Sequence, residues 1–329
     1  MRTQILLASL LCASAVGFAQ QKVGELANIT RLTNDSEMKY ENPRFSPDGK
    51  QLAFTQFGNT GLYVADLTVA EAPVKQISAD LGVGYMFQWN ADGTDILCRN
   101  VTMTPAANGF PRSYKIQSVN VATKEITELS EAGDAELRPA AWRYNRKGEA
   151  SVVAAGRVLR SGIVSNTVAA TPAQLQELQE IKEAPAFSVS FITDYDNLYV
   201  VDAAGNKKVI YEGVALVPAL SPDGKKVAFC NMESEVLVMD VKGGKATVVG
   251  KGFNPTWVNN EQIVVENTTD NGHEYLTGDL FLLGVKDKSS VAITKTPGRI
   301  EMCPTVSADG NKIAFVSFTD GQVYIADLK

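Results

Sequence analysis

The chain has 329 residues, 45% of them apolar and 21% charged, with 31 basic and 37 acidic side chains and one histidine. These fractions describe a folded globular protein and exclude disorder over most of the length. A single histidine, His273, excludes a multi-histidine metal centre, and a Ser-His-Asp triad would need that one residue in the right place.

Residues 1–19 read as a secretory signal: Arg2, an apolar run from Ile5 to Leu11 continuing through Cys12 and Ala13, and the small-x-small site Gly17-Phe18-Ala19. The run is too short to span a bilayer. The expectation is export to the periplasm or beyond. Leu11 stands where a lipobox wants a small residue, so lipidation is not expected. Removing this piece leaves 30 basic and 37 acidic residues, a balance of −7. That sign and the lack of a Lys/Arg run argue against nucleic acid and anionic membranes as partners. Cys98, Cys230 and Cys303 are far apart, form no CxxC and suggest no zinc. They read as buried small hydrophobes, with a disulfide left open.

An internal repeat organises the remainder, residues 20–329. NPRFSPDGKQLAF at 42–54 recurs as VPALSPDGKKVAF at 217–229 and as CPTVSADGNKIAF at 303–315. Weaker copies are FQWNADGTDILC at 87–98, RPAAWRYNRKG at 138–148 and NPTWVNNEQIVV at 254–265. In each, a short strand leads into a Pro-Asp-Gly-type turn, and an alternating strand follows. A third apolar run ending near Asp comes next, as in Leu62–Asp66, Leu198–Asp202, Val236–Asp240 and Val323–Asp327. A short fourth strand follows all but the last. Ile29–Thr33 has the fourth-strand pattern with no hairpin before it.

Six sets of strands predict an all-β fold, a six-bladed β-propeller closed by the N-terminal strand, with seven blades as the alternative. The repeat hairpins are 37 to 52 residues apart except between Pro139 and Pro218, where the interval is 79. That excess, residues 149–186, is expected to be an insertion or a degenerate blade. It includes the helix-favouring Pro172–Glu180.

The FSPDGKxLAF hairpin followed by LYVADL resembles the WD-repeat-like blades of the TolB propeller and covers about residues 27–329. The same blade type occurs in the propellers of prolyl oligopeptidase-type peptidases. The resemblance implies the fold and a non-catalytic, protein- or peptide-binding role in the bacterial cell envelope. TolB proteins carry an α/β domain before the propeller; this sequence starts its propeller almost at once. No G-x-S-x-G elbow supports a peptidase. The related oligogalacturonate lyases hold manganese with several histidines, which one histidine cannot reproduce.

Other candidates for chemistry read as structure. His273, beside Asp270 and Glu274, reads as an exposed loop residue rather than a base or ligand. Asp194, Asp196 and Asn197 read as a turn and not a calcium loop. The turn aspartates Asp48, Asp92, Asp223 and Asp309 recur once per blade and are expected to be structural, as are Asp66, Asp240 and Asp327. Phe45, Trp89, Trp142 and Trp257 share one position per blade and are expected between blades. No catalytic residue, cofactor or metal is assigned. The candidate partner surface is the channel mouth before the first strands: Tyr40, Glu41, Tyr85, Met86, Glu136, Arg138, Phe253, Asn254, Glu301 and Met302. The alternative to a protein or peptide partner is a carbohydrate or peptidoglycan ligand, and a further alternative is a lyase or hydrolase of unrecognised type.

Overall fold

The computed structural model describes residues 26–90, 92–106, 109–130, 132, 142–144, 150–154, 157–163, 190–193, 196–201 and 207–329. The signal sequence, Glu136, Arg138, the Trp142 side chain, Pro172–Glu180 and Asp194 therefore lie outside what is described. The described residues form seven antiparallel sheets. Strand β1 (Leu26–Arg31) stands apart at the start of the chain. The next sheet holds β2 (Tyr40–Phe45), β3 (Gln51–Gln56), β4 (Thr60–Asp66) and β5 (Val74–Leu81). It is followed by β6 (Gln88–Trp89), β7 (Asp95–Met103), β8 (Arg112–Asn120) and β9 (Ile126–Glu128). Two three-stranded sheets follow: β10 (Trp142–Tyr144), β11 (Ala150–Ala154) and β12 (Arg157–Ile163), then β13 (Ser190–Thr193), β14 (Asn197–Val201) and β15 (Lys207–Glu212). The next two hold β16 (Leu216–Leu220), β17 (Lys226–Cys230), β18 (Glu235–Asp240) and β19 (Thr247–Lys251), then β20 (Phe253–Asn259), β21 (Gln262–Asp270), β22 (Tyr275–Gly284) and β23 (Ser290–Ala292). The last has β24 (Glu301–Val306), β25 (Lys312–Ser317) and β26 (Gln322–Leu328), with β1 paired on β26.

This arrangement departs from the repeat count at one place. The copy at 138–148 and the apolar run at Leu198–Asp202 were expected in one blade. Their strands β10 and β14 stand in different sheets. Part of the presumed insertion is strand: β11 and β12 pair with β10. The reason is local. The third strand of that sheet, RVLRSGI, is broken by arginines and a glycine and lacks the apolar run that marks its counterparts.

Three of the repeat turns are built by a serine and an aspartate. Ser46 Oγ donates to Asp48 Oδ1 at 2.7 Å, and the Gln51 amide donates back to Ser46 Oγ at 2.9 Å. Asp48 Oδ1 also accepts the Lys50 amide at 3.0 Å, and Gly49 takes φ 69°. Ser221–Asp223 and Ser307–Asp309 repeat this at 2.7 and 2.5 Å. Burial would raise these aspartate pKa values, but the serine and backbone donors outweigh it and hold Asp48, Asp223 and Asp309 low. They are turn residues, as expected.

The middle strands are apolar without alternation because both faces are covered. In β4, Gly61 to Ala65 are all buried. Apolar layers lie between successive sheets. Tyr40, Phe54 and Tyr63 pack on Ala314, Val316 and Val323. Ala53, Leu62 and Val64 pack on Phe87, Ile96 and Cys98. Val264, Leu280 and Leu282 pack on Ile313, Phe315 and Ala326. Phe54, Phe229 and Phe315 are wholly buried, and each contributes about 1.5–3 kcal/mol.

The tryptophans add a directed tie between sheets. Trp257 Nε1 donates to the Ala219 carbonyl at 3.0 Å, and Trp89 Nε1 donates to the Arg44 carbonyl at 3.1 Å. Both carbonyls belong to the inner strand of the preceding sheet, one residue after its proline. Phe45 and Trp257 are buried between sheets as expected, and Trp89 packs against the same kind of layer. Trp257→Phe keeps the ring but orphans a carbonyl, so it should lower stability by about 1–2 kcal/mol in denaturant unfolding. A midpoint and slope unchanged from the wild type would refute the tie.

Candidate functional site

The repeat turns of adjacent sheets lie on a common side. Gly93 packs against Ser46 and Pro47, a Cβ at Gly310 would lie 2.9 Å from the Val258 carbonyl, and the Asp223 amide donates to Asn260 Oδ1 at 3.0 Å. The starts of the inner strands, and the hairpins joining second to third strands, therefore gather on the opposite side. The candidate mouth lies there.

Its backbone is irregular in a repeated way. Asn42, Met86, Val217, Asn254 and Cys303 all have φ near 50°, and four of them precede proline. Positive φ is rare for such residues and rarer for a β-branched one such as Val217. At each of the four, the ladder skips: between Glu41 and Arg44, Leu216 and Ala219, Phe253 and Thr256, and Met302 and Thr305. Each is a β-bulge, which frees an amide from the ladder. The neighbouring sheet receives it. The Cys303 amide donates to Glu266 Oε2, the Asn254 amide points to Cys230 Sγ, and the Asn42 amide points to Cys303 Sγ. Gly84 serves the same close approach, since a Cβ there would lie 2.2 Å from Thr55 Oγ1.

Glu266 is the charged member of this set. It is 3% exposed, and its other oxygen accepts Asn254 Nδ2 at 2.8 Å. Burial pushes its pKa up, and the two donors oppose that shift. Burial likewise raises Glu41, which accepts the Asn59 amide at 2.8 Å. Burial raises Cys98 to about 12 and Cys230 to about 11, and it also raises Cys303. All three thiols are free, and none is a nucleophile at neutral pH.

The expected mouth residues divide by burial. Tyr40 is in the core, edge-on to Phe54 at 5.2 Å and to Tyr63 at 5.5 Å. Glu301 is fully buried and ion-paired to Arg299 at 2.6 Å, whose guanidinium lies 4.8 Å from the Tyr324 ring. Neither presents surface. Glu41, Tyr85, Phe253, Asn254 and Met302 are half-buried, and Met86 is exposed. Arg99 stacks on Tyr85 at 4.1 Å and on Tyr114 at 5.1 Å, which fixes the mouth in that sheet. His273 is exposed in the β21–β22 turn. Among the described residues, no three His, Cys, Asp or Glu side chains could hold a metal ion, and no helix is long and apolar enough to cross a membrane.

A feature not expected from the sequence stands on the same side. Phe57, Met232 and Phe318 occupy one position in three hairpins and are 63%, 68% and 38% exposed. The longer hairpins β7–β8 and β21–β22 add Met103, Phe110, Tyr275 and Leu276, all exposed. The signal was legible: each of the first three stands three residues after an Ala-Phe pair. It passes for the continuing apolar pattern of a strand.

Face-to-face four-stranded sheets with apolar layers between them are the architecture of a β-propeller, and known structures agree. The chain superposes on the β-propeller domain of Myceliophteria thermophila Cps50 (Swd1) with a TM-score of 0.59, 12% identity and coverage of 93% of this chain and all of that one. Against a putative TolB from Agrobacterium tumefaciens the TM-score is 0.53 at 12% identity, covering 93% and 99%. In sequence, the chain is 32% identical over 113 residues to the TolB homolog of Chlorobium chlorochromatii, 32% of this chain and 24% of that protein. It spans about a quarter of the length of the curated relatives it matches. No family model matches. The chain is thus an all-β, TolB-like propeller.

The charge on Glu266 has a measurable consequence. A raised folded pKa means that its contribution is greatest below the unfolded value of about 4.5 and is lost as pH rises through the folded value. The stability of wild type minus that of Glu266→Gln should therefore fall as pH rises above the unfolded value of about 4.5, by at most about 1.4 kcal/mol per pH unit. A difference that is flat or rises with pH would contradict the burial of this carboxylate.

Proposed function

We propose that this chain is an exported, non-catalytic scaffold of the bacterial cell envelope that holds a protein or peptide partner on one face of a propeller ring. The ring is seven-bladed and clasped by β1 on β26. Support for the count comes from the seven sheets among the described residues. Support for the clasp comes from the antiparallel register Leu26↔Leu328 to Arg31↔Tyr324.

The observation that carries the binding role is the collar of exposed Phe57, Met232, Phe318, Tyr275 and Leu276 around the mouth. Apolar groups repeated at one hairpin position and set on rigid sheets are what a docking partner needs and what folding alone does not require. Similarity to TolB homologs supports the envelope setting, and the Arg2 to Ala19 segment supports export. The half-buried Glu41, Tyr85, Phe253 and Asn254 form the inner rim of the same surface.

Cross-linking in intact cells, followed by mass spectrometry of adducts, tests the reading. The wild type should yield a reproducible envelope partner. The triple variant Phe57→Ser, Met232→Ser, Phe318→Ser should bind that partner at least about tenfold more weakly, with only a small drop in melting temperature, since Phe57 and Met232 are exposed and Phe318 packs edge-on to Tyr275. Equal binding by the triple variant would refute the collar. Retention of residues 1–19 on the mature protein, with a cytoplasmic location on fractionation, would refute export.

A further inference from the structure

The mouth on the repeat-turn side has a different character. There a recess of about 280 Å³ opens between three inner strands, with walls that include Arg44 and Ser46 of the β2 sheet, Gln88 and Trp89 of β6, and Thr305 of β24. Arg44 is the charged group in that wall. Its guanidinium lies 5.6 Å from the Phe87 ring, and among the described residues no hydrogen bond or ion pair reaches it. The acids nearby are engaged elsewhere. Asp48 is held by Ser46 at 2.7 Å and Lys50 at 3.4 Å, Asp309 by Ser307 and Asn311, Glu41 by the Asn59 amide, and Glu266 by Asn254 and Cys303.

The Arg44 side chain is open to solvent, yet the protein around it lowers its pKa by desolvation. A solvated group with protein on most sides is one that lines a water-filled hollow. The guanidinium stays charged there and offers five donors with no acceptor. Trp89, whose Nε1 donates to the Arg44 carbonyl at 3.1 Å, stands in the same wall of the recess.

We infer that this recess binds a small carboxylate, with the Arg44 guanidinium taking the two carboxylate oxygens and the Trp89 ring taking the body of the ligand. One planar fork in an otherwise acidic chain matches a singly charged carboxylate better than a multiply charged phosphate, which gathers several cations. The volume holds one or two residues of a peptide end or a single sugar acid. The site lies at the opposite mouth from the apolar collar and does not depend on the partner reading.

The test is calorimetric titration of the full mature chain with N-acetyl-alanyl-valine, with its C-terminal amide, and with glucuronate. At least one of the two acids should bind in the high-micromolar to millimolar range. The amide should bind about tenfold more weakly than the peptide acid if the peptide acid binds. Arg44→Gln should weaken the bound acid about tenfold or more and Arg44→Lys less, with melting temperatures near the wild type because the side chain is exposed. Binding of the peptide acid alone assigns a peptide terminus, binding of glucuronate alone assigns a free acid, and either supports the site. Absence of binding by both acids to about 20 mM, equal affinity for acid and amide, or unchanged affinity in a folded Arg44→Gln variant overturns it.

Discussion

The structure turns on the amide that each inner strand cannot pair within its own sheet. A proline follows the positive-φ residue at Asn42, Val217, Asn254 and Cys303, and the ladder skips there. A buried, unpaired N–H is too costly to leave. At Asn42, Asn254 and Cys303 the sheet next door supplies the acceptor, from Cys303, Cys230 and Glu266 in turn. A sheet of this kind is therefore incomplete alone. Strained backbone in one sheet is stabilised by side chains of the next, which makes the array cooperative rather than a string of independent hairpins.

The same constraint separates the two ends of the sheet array. At the bulged end, close approach at Gly84 and the buried Glu266 and Glu301 make a rigid rim, and function is left to the hairpins that project past it. Those hairpins carry the exposed apolar collar. At the other end the Ser-Asp turns are self-contained: their aspartates are satisfied locally by Ser46, Ser221 and Ser307. Among the described residues, no hydrogen bond or ion pair reaches the Arg44 guanidinium, which lies 5.6 Å from the Phe87 ring.

Much of this was legible in the residues. The SPDG copies marked the turns, and the aromatics Phe45, Trp89 and Trp257 at one first-strand position marked the inter-sheet layer, because both are repeated chemistry with one physical solution. Three things were not legible. Residues 149–186 read only as an insertion or a degenerate blade because RVLRSGI has no apolar run; part of them belongs to the sheet of β10–β12. Tyr40 and Glu301 looked like rim residues because they precede the inner strands, yet the bulge turns Tyr40 onto Phe54 and Tyr63 and buries Glu301 under Arg299. The bulge itself was hidden because x-Pro reads as an extended dipeptide, and positive φ at Val217 and Cys303 has no sequence signature.

The proposed closure of the sheets into a ring depends most on the pairing of β1 with β26. Amide hydrogen exchange on the peptide spanning residues 26–33 tests it directly. Pairing from Leu26↔Leu328 to Arg31↔Tyr324, with the Leu32 amide on the Val323 carbonyl at 2.8 Å, predicts protection of these amides for minutes or longer, rising and falling with global stability. Complete exchange within seconds in the native protein would show that the ends do not meet, and would contradict the closed ring.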